Sequence, residues 1–353
     1  MRKNKRIVAW ILGAITMMSG VMLIPTRTKA AGNTIAVQSE IQYEETSYET
    51  YSESWGKKAP TKEGYLFGGW YQDSEGKTAI RSVEQVTESA KVYAKFVPAH
   101  LLSVKAQNFS TTKRTEGDDK ATTRMVSSID CRAYLNVGFQ IIDKEANRTI
   151  TDEPINTVYE KLQVNEGSIT KDYTPQEIFG TVANAKEQNF IVKSLRNIPE
   201  AKWNSDIYVR PFWTTYDGLR IYGLGKYVYV NDGIDGWISI PVNLHTGASV
   251  AGGMLSVKVP TGEGYTLTYQ ECRPGRVFSE MTAAIKGTTI KCVGHTKQGE
   301  DTAANDLYAV LRFKVEGSYK TGSGTFLEFN VKDLGFANNA ETLVDMSIMN
   351  VRY

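Results

Sequence analysis

Leu307-Tyr308-Ala309-Val310-Leu311-Arg312-Phe313-Lys314-Val315 is the clearest two-residue alternation in the chain. Leu307, Ala309, Leu311, Phe313 and Val315 fall on one side of an extended segment, and Tyr308, Arg312 and Lys314 on the other. Antiparallel strands with one buried face produce this period. The pattern recurs in both directions. Ile238, Ile240, Val242 and Leu244 alternate with polar partners, as do Leu255, Val257 and Val259, and Leu327, Phe329 and Val331 repeat it. About eight or nine such strands between 237 and 353 are the scale of a β-sandwich.

Working towards the N-terminus, the six residues Asn231-Asp232-Gly233-Ile234-Asp235-Gly236 are turn chemistry without periodicity and place a boundary. Gly233 stands where a calcium loop of the EF-hand type would need an oxygen donor, so these acids are read as a turn. Residues 99–231 are β-rich again, with strand-like runs at 101–106, 124–129, 134–142, 157–164, 190–195 and 207–216. The last is joined through Asp217-Gly218 to 219–230, a hairpin signal in which both turn positions favour positive φ. One helix is expected within this middle β-sandwich. Thr174 caps it, Pro175 takes the first position, Glu177 completes a capping box, and Ile178, Phe179, Val182 and Ala185 form its apolar stripe.

Residues 32–58 are polar, with Tyr43, Tyr48 and Tyr51 among acids, and only the part leading to Trp55 looks able to pack. From Pro60 the character changes. Gly64-Tyr65-Leu66-Phe67-Gly68-Gly69-Trp70-Tyr71 is aromatic and punctuated by glycine, Asp73 to Gly76 is a turn, and Val92-Tyr93-Ala94-Lys95-Phe96 is a period-two strand. With so few residues the rings must supply most of the burial, and Trp70 is expected in the core. Pro60, Gly64-Tyr65, Phe67, Gly69-Trp70-Tyr71, Gly76 and the closing strand resemble the internalin-type B repeat, or Listeria-Bacteroides repeat, a small β-grasp-like module of bacterial surface proteins. The resemblance covers 41–97 and implies an extracellular spacer or adhesion module without catalysis.

The landmarks of 237–353 are similar in order to a cohesin module. Ile238-Ser239-Ile240-Pro241-Val242 resembles the opening strand and Val250-Ala251-Gly252-Gly253-Met254-Leu255-Ser256-Val257 a recognition strand. The quoted stretch at 307–315 resembles the central strand, and Leu334-Gly335-Phe336-Ala337-Asn338-Asn339 the approach to the closing strand. The resemblance implies a nine-stranded jelly-roll sandwich that binds a dockerin, or a relative that binds carbohydrate. Two departures qualify it. Gly252 and Met254 stand where many dockerin-binding cohesins place Asn and Asp, and Val259-Pro260-Thr261-Gly262 replaces the Tyr-Asp-Pro turn. Contact through Gly252, Gly253 and Met254 would therefore suit a dedicated partner with an apolar helix.

The N-terminus has its own reading. A basic segment from Met1 to Arg6, an apolar run from Ile7 to Ile24 ended by Pro25, and the small residues Ala30 and Ala31 have the layout of a secretory signal peptide over 1–30, followed by a polar segment at 31–40. The expected product is secreted or associated with the cell surface of a Gram-positive-type bacterium, touching membrane only through the signal segment. The formal charge of +2 rests on 41 Lys+Arg against 39 Asp+Glu. The first 30 residues hold six of those cations and no acid, so without them 35 face 39, a net of −4. That balance argues against nucleic acid as a partner.

Catalytic signatures are sparse. Ser318 and Ser323 lack the spacing of a nucleophile elbow, His100, His245 and His295 are far apart, and Gly223-Leu224-Gly225-Lys226 is not a P-loop. No cofactor, metal or enzymatic activity is expected; a glycosidase in the middle region is the least favoured reading. Trp203, Trp213, Tyr216, Tyr222, Tyr227 and Tyr229 crowd the hairpin region and offer an alternative site, a platform for sugar rings. The expected partner is thus another extracellular protein, dockerin-like or dedicated, or a glycan. Cys131 stands alone, while Cys272 and Cys292 lie on neighbouring strands and are either a disulfide or two buried thiols.

Overall fold

The computed structural model describes residues 42–62, 65–98, 105–112, 120–130, 134–166, 169–175, 188–232, 236–245, 249–296, 302–303, 306–317, 328–337, 343–344, 347–348 and 351–352. The signal segment, Cys131 and the expected helix beyond Pro175 lie outside the described residues. What is described is mainly β, in several antiparallel sheets.

In the N-terminal part, β1 (Gln42–Ser47), β2 (Tyr65–Tyr71) and β3 (Lys91–Pro98) form a sheet in the order β1-β3-β2. A helix, α1 (Tyr48–Ser54), follows β1 directly, where the sequence shows only a polar stretch. Its signal is the cap: Ser47 Oγ accepts from Thr50 N at 3.3 Å. Its buried face is little more than Tyr51, so no apolar stripe betrays it. Tyr51 meets Trp70 edge-on at 5.2 Å and Trp70 meets Phe67 at 5.1 Å, which makes a core of rings. The Asp73 turn is present, its carboxylate accepting from the amides of Glu75, Lys77 and Thr78. Burial pushes the Asp73 pKa up, but these three backbone donors outweigh it and hold it below the ordinary value.

The middle part contains β4 (Lys105–Thr112), β5 (Lys120–Asp130), β6 (Tyr134–Asp143), β7 (Arg148–Thr151), β8 (Leu162–Glu166), β9 (Ile169–Tyr173), β10 (Gln188–Pro199), β11 (Ile207–Thr215), β12 (Arg220–Tyr222) and β13 (Lys226–Val228). One sheet runs β10-β5-β4 and another β12-β11-β6-β7, with β13 also on β11. Met125, Val126, Phe190 and Ile191 from the first share a core with Phe139, Ile141, Val209 and Trp213 from the second. Three local expectations change. The run expected at 157–164 becomes strand only from Leu162. The Asp217-Gly218 turn has positive φ only at Gly218, +82°, and Thr215 N reaches Leu219 O at 3.0 Å, so the loop is one residue longer than a two-residue hairpin. The single strand expected at 219–230 is two short ones, interrupted at Gly223–Gly225. A Cβ on Gly225 would lie 2.3 Å from the Tyr208 hydroxyl oxygen, so only glycine fits beneath that ring.

The C-terminal part is a two-sheet sandwich. Its strands are β14 (Trp237–His245), β15 (Ser249–Val250), β16 (Gly252–Lys258), β17 (Tyr265–Pro274), β18 (Glu280–Lys286), β19 (Thr289–His295), β20 (Thr302–Ala303), β21 (Asp306–Gly317), β22 (Glu328–Ala337), β23 (Leu343–Val344), β24 (Ser347–Ile348) and β25 (Val351–Arg352). One sheet is β17-β21-β14-β24, the other β18-β19-β16-β22-β23 with β25 on β22, and β15 pairs β20. Ile240, Val242, Leu255, Val257, Leu311, Phe313, Phe329 and Phe336 fill the space between them.

The deciding strand, β21, departs from strict alternation. Its register against β14 runs from Val242↔Ala309 to Asn243↔Leu307, so Tyr308 is an extra residue. That bulge turns Tyr308 into the sandwich core, while Leu307 and Val310 join Tyr208, Tyr227 and Tyr229 outside it. The face of Arg312 is therefore covered by the middle part, and Arg312 itself is fully buried.

Candidate functional site at the module junctions

Arg312 is the centre of the junction between the middle sheets and the C-terminal sandwich. Its Nε donates to Ser239 Oγ at 3.2 Å, one Nη to Glu271 Oε1 at 3.1 Å and to Asn204 Oδ1, and the other Nη to Asn231 Oδ1 at 3.0 Å. Asp232 lies 3.6 Å away. The guanidinium plane is stacked between Tyr229, 4.0 Å to the ring centre, and Trp237, 4.4 Å. β21 thus supplies the cation, and its acceptors come from the sandwich strands β14 and β17 and, on the other side, from the turn at 231–232 and the loop at Asn204. The acids read as turn chemistry do structural work: burial raises Asp232 above the ordinary carboxylate value, and Ser239, Lys226 and Arg312 pull it back. Lys226 is lowered by burial, with Asp232 opposing.

A second cluster extends this junction. Asp206 accepts from Arg273 Nη1 at 2.8 Å and from the Tyr229 hydroxyl at 2.7 Å. Lys144 donates to Pro274 O at 2.8 Å and lies over Tyr227, whose hydroxyl also donates to Pro274 O at 3.1 Å. Asp306 is bonded by the Tyr208 hydroxyl and faces Arg210 at 3.5 Å and Arg276 at 3.4 Å. Desolvation raises the pKa of Tyr208, Tyr227 and Tyr229, and the nearby carboxylates add to it.

The repeat part is docked with comparable specificity. Trp213 Nε1 donates to Phe67 O at 3.1 Å, and Trp70 Nε1 to Asp217 Oδ2 at 3.1 Å. Leu219 and Ile221 pack on the ring core around Trp70, while Tyr71 and Val97 enter the core of the middle sheets. Trp70 is buried, as expected, but its burial depends partly on residues far outside 41–97. Beside this junction a cleft of about 360 Å³ is lined by Glu44, Glu45, Thr50, Ser54, Lys58 and Trp70. Its two carboxylates are paired with Lys62 at 2.9 Å and Lys91 at 2.7 Å.

The six aromatic residues expected as a sugar platform are brought to these junctions, four of them buried and two half-buried. Trp213, Tyr227 and Tyr229 are fully buried or nearly so. Trp203 is buried, its Nε1 donating to Ile198 O at 3.0 Å. Tyr222 and Tyr216 are half-buried beneath Arg210, 3.6 Å from the ring centre, and Arg81, 5.2 Å. Stacking a pyranose requires an open ring face, which the buried rings of Trp203, Trp213, Tyr227 and Tyr229 do not offer. Their crowding in sequence reflects packing between parts.

The strand expected to meet a partner is divided by its own alternation. A Cβ on Gly253 would lie 2.0 Å from Phe336 Cδ1, so that residue faces the core and is not a contact residue. Met254, half-buried, points the other way, opposite Val293 and Gly335 on the flanking strands. Gly252 is buried. Cys272 on β17 and Cys292 on β19 are free thiols on facing sheets. Interaction with the Cys292 thiol, then burial, raises Cys272. His295 sits 3.3 Å from Glu280, and no group of three metal-ligating side chains occurs among the described residues.

Residues 29–95 match the family model described as the Listeria-Bacteroides repeat domain. No curated protein matches the chain. Among solved structures, the C-terminal domain of the AgI/II polypeptide BspA of Streptococcus agalactiae is a weak likeness, 6% identical over 70% of this chain and 99% of that one, with a TM-score of 0.17.

Proposed function

We propose that the chain is a non-catalytic, exported protein of a bacterial surface that holds another extracellular protein through its C-terminal sandwich. The observation that carries the reading is the match of residues 29–95 to a repeat domain of the kind found in bacterial surface proteins. The two junctions support it. Interlocked parts present a surface at a defined orientation, which an adhesion or scaffolding protein needs and freely jointed beads do not supply.

A cohesin-like identity for 237–353 is the finer part of the proposal. Two facing sheets in which the opening strand β14 lies beside the late strand β24 support a jelly-roll arrangement. The partner-facing side of β16 would then be that of Met254, with Gly335 beside it leaving room for close approach. Without an Asn or Asp there, the partner's contact helix would be apolar and bound by packing at a few positions.

Calorimetry of the full chain against a generic dockerin, and capture from the secreted proteins of the same culture by wild type and Met254→Lys, test the reading. The expected result is no measurable dockerin binding and a captured protein that Met254→Lys loses without loss of folding. Micromolar dockerin binding would overturn the specificity argument. Binding on a glycan array with no protein partner would move the function to carbohydrate, and hydrolysis of a polysaccharide panel would make the protein an enzyme.

A further inference from the structure

Where β17 ends, the chain crosses from one sheet of the C-terminal sandwich to the other. Gly275 N donates to Tyr308 O at 2.8 Å and Val277 N to Leu307 O at 3.1 Å, and β18 then begins the opposite sheet. Three sulfur atoms gather at this crossing. Cys272 Sγ lies 3.2 Å from Met281 Sδ on β18, whose pairing with β19 sets Met281 opposite Gly294 and Ala283 opposite Cys292, so both cysteines enter one core beside the same methionine. Cys292 is fully buried, and the Tyr308 hydroxyl donates to its carbonyl at 3.4 Å. Cys272 is only half-buried, on the outermost strand of its sheet. Cys272 is thus the partly exposed member of the pair, and Cys292 lies fully inside.

We propose that Cys272 and Cys292 are a redox site: a dithiol that a small disulfide oxidises to an intersheet cystine without unfolding the sandwich. The Cys272 thiolate attacks one sulfur of oxidised glutathione and expels a glutathione thiolate. The Cys292 thiolate then attacks the Cys272 sulfur of the mixed disulfide and expels the second glutathione. Two electrons pass from the protein to glutathione, and the two protons lost by the cysteines go to the leaving thiolates. Interaction with the Cys292 thiol, then burial, raises the Cys272 pKa, so the first step quickens as pH rises. The product ties two sheets that are otherwise joined there by packing and by the crossing itself.

The test uses the full chain in its native state. Purified wild type, Cys292→Ser and Cys131→Ser proteins are incubated with oxidised glutathione, alkylated, and mapped by non-reducing tryptic digestion and mass spectrometry. Wild type and Cys131→Ser should both yield a cross-linked pair of peptides carrying Cys272 and Cys292, and Cys292→Ser should stall with glutathione on Cys272. The oxidised form should gain about a hundredfold in its folded-to-unfolded ratio, as expected for closing a loop of about 20 residues, read as a higher urea midpoint. Retention of both thiols in alkylatable form, a wild-type product that stops at glutathionylated Cys272, or a bridge to Cys131 would overturn the proposal. None of these outcomes depends on whether the protein binds a partner.

Discussion

Arg312 shows how one side chain can join two parts of a chain. A buried guanidinium needs its five N–H groups partnered, and here Ser239, Asn231, Asn204 and Glu271 take four of them from both sides of the junction, with Asp232 3.6 Å from Nη2. Arg312→Met should cost about 3–5 kcal/mol, because Asp232 and Glu271 lose the guanidinium and buried Asp232 keeps only Lys226 as a nearby cation. Adding Asp232→Asn should recover little of that loss, because Lys226, also buried, then loses its counter-charge. Urea denaturation of the three proteins measures it; a loss under about 1 kcal/mol for Arg312→Met would mean the cluster is relaxed and wet. The residue was visible in the sequence as a charge within an apolar run. Its partners at 204, 231 and 271 were not, since nothing local connects those positions.

At the scale of an element, β16 and β21 illustrate what a period of two can and cannot convey. Leu255 and Val257 face the core as the alternation requires, and Gly253 continues their face with the Phe336 ring filling the space a side chain would take. Gly253→Ala is therefore expected to destabilise the sandwich by about 1–3 kcal/mol through overpacking. Gly335→Ala, whose Cβ would sit 3.6 Å from Met254 Cγ, is the control and should change stability by about 0.5 kcal/mol or less. Equal effects of the two substitutions in chemical denaturation would show that Phe336 has room to move. On β21 the bulge at Tyr308 reverses the facing of Leu307, and a bulge carries no mark in the sequence of its own strand. Helix α1 escaped for a related reason: seven residues around one buried tyrosine have a cap but no stripe.

Across the whole molecule, burial has collected tyrosines. Tyr51, Tyr208, Tyr227, Tyr229, Tyr269 and Tyr308 all have pKa values raised above 10.0, with desolvation the leading cause in each. A raised folded-state value means the contribution to stability is complete below the unfolded value of 10.0 and is lost as pH climbs above it. These six lie in the repeat core, in the junction and in the sandwich, so alkali acts on all three places together. Above about pH 10, the tyrosinate absorbance of these six should appear in one cooperative step with the loss of near-ultraviolet circular dichroism. A gradual titration of all 19 tyrosines in a protein that stays folded would contradict this burial pattern.

The β class, the ring-built repeat with Trp70 inside it and most middle strands were determined by the sequence alone, because alternation, turn residues and aromatic spacing are local and act within a few residues. The junctions were decided only by tertiary structure. Trp213 reaching Phe67, Asp217 reaching Trp70 and Arg312 reaching Asn204 are contacts between positions far apart in the chain. The aromatic crowding at 203–229 reads equally as a binding face or a packed one in sequence, since a ring has the same chemistry in both. What separates the readings is whether another part of the chain covers each ring, and packing between sheets has buried Trp203, Trp213, Tyr227 and Tyr229.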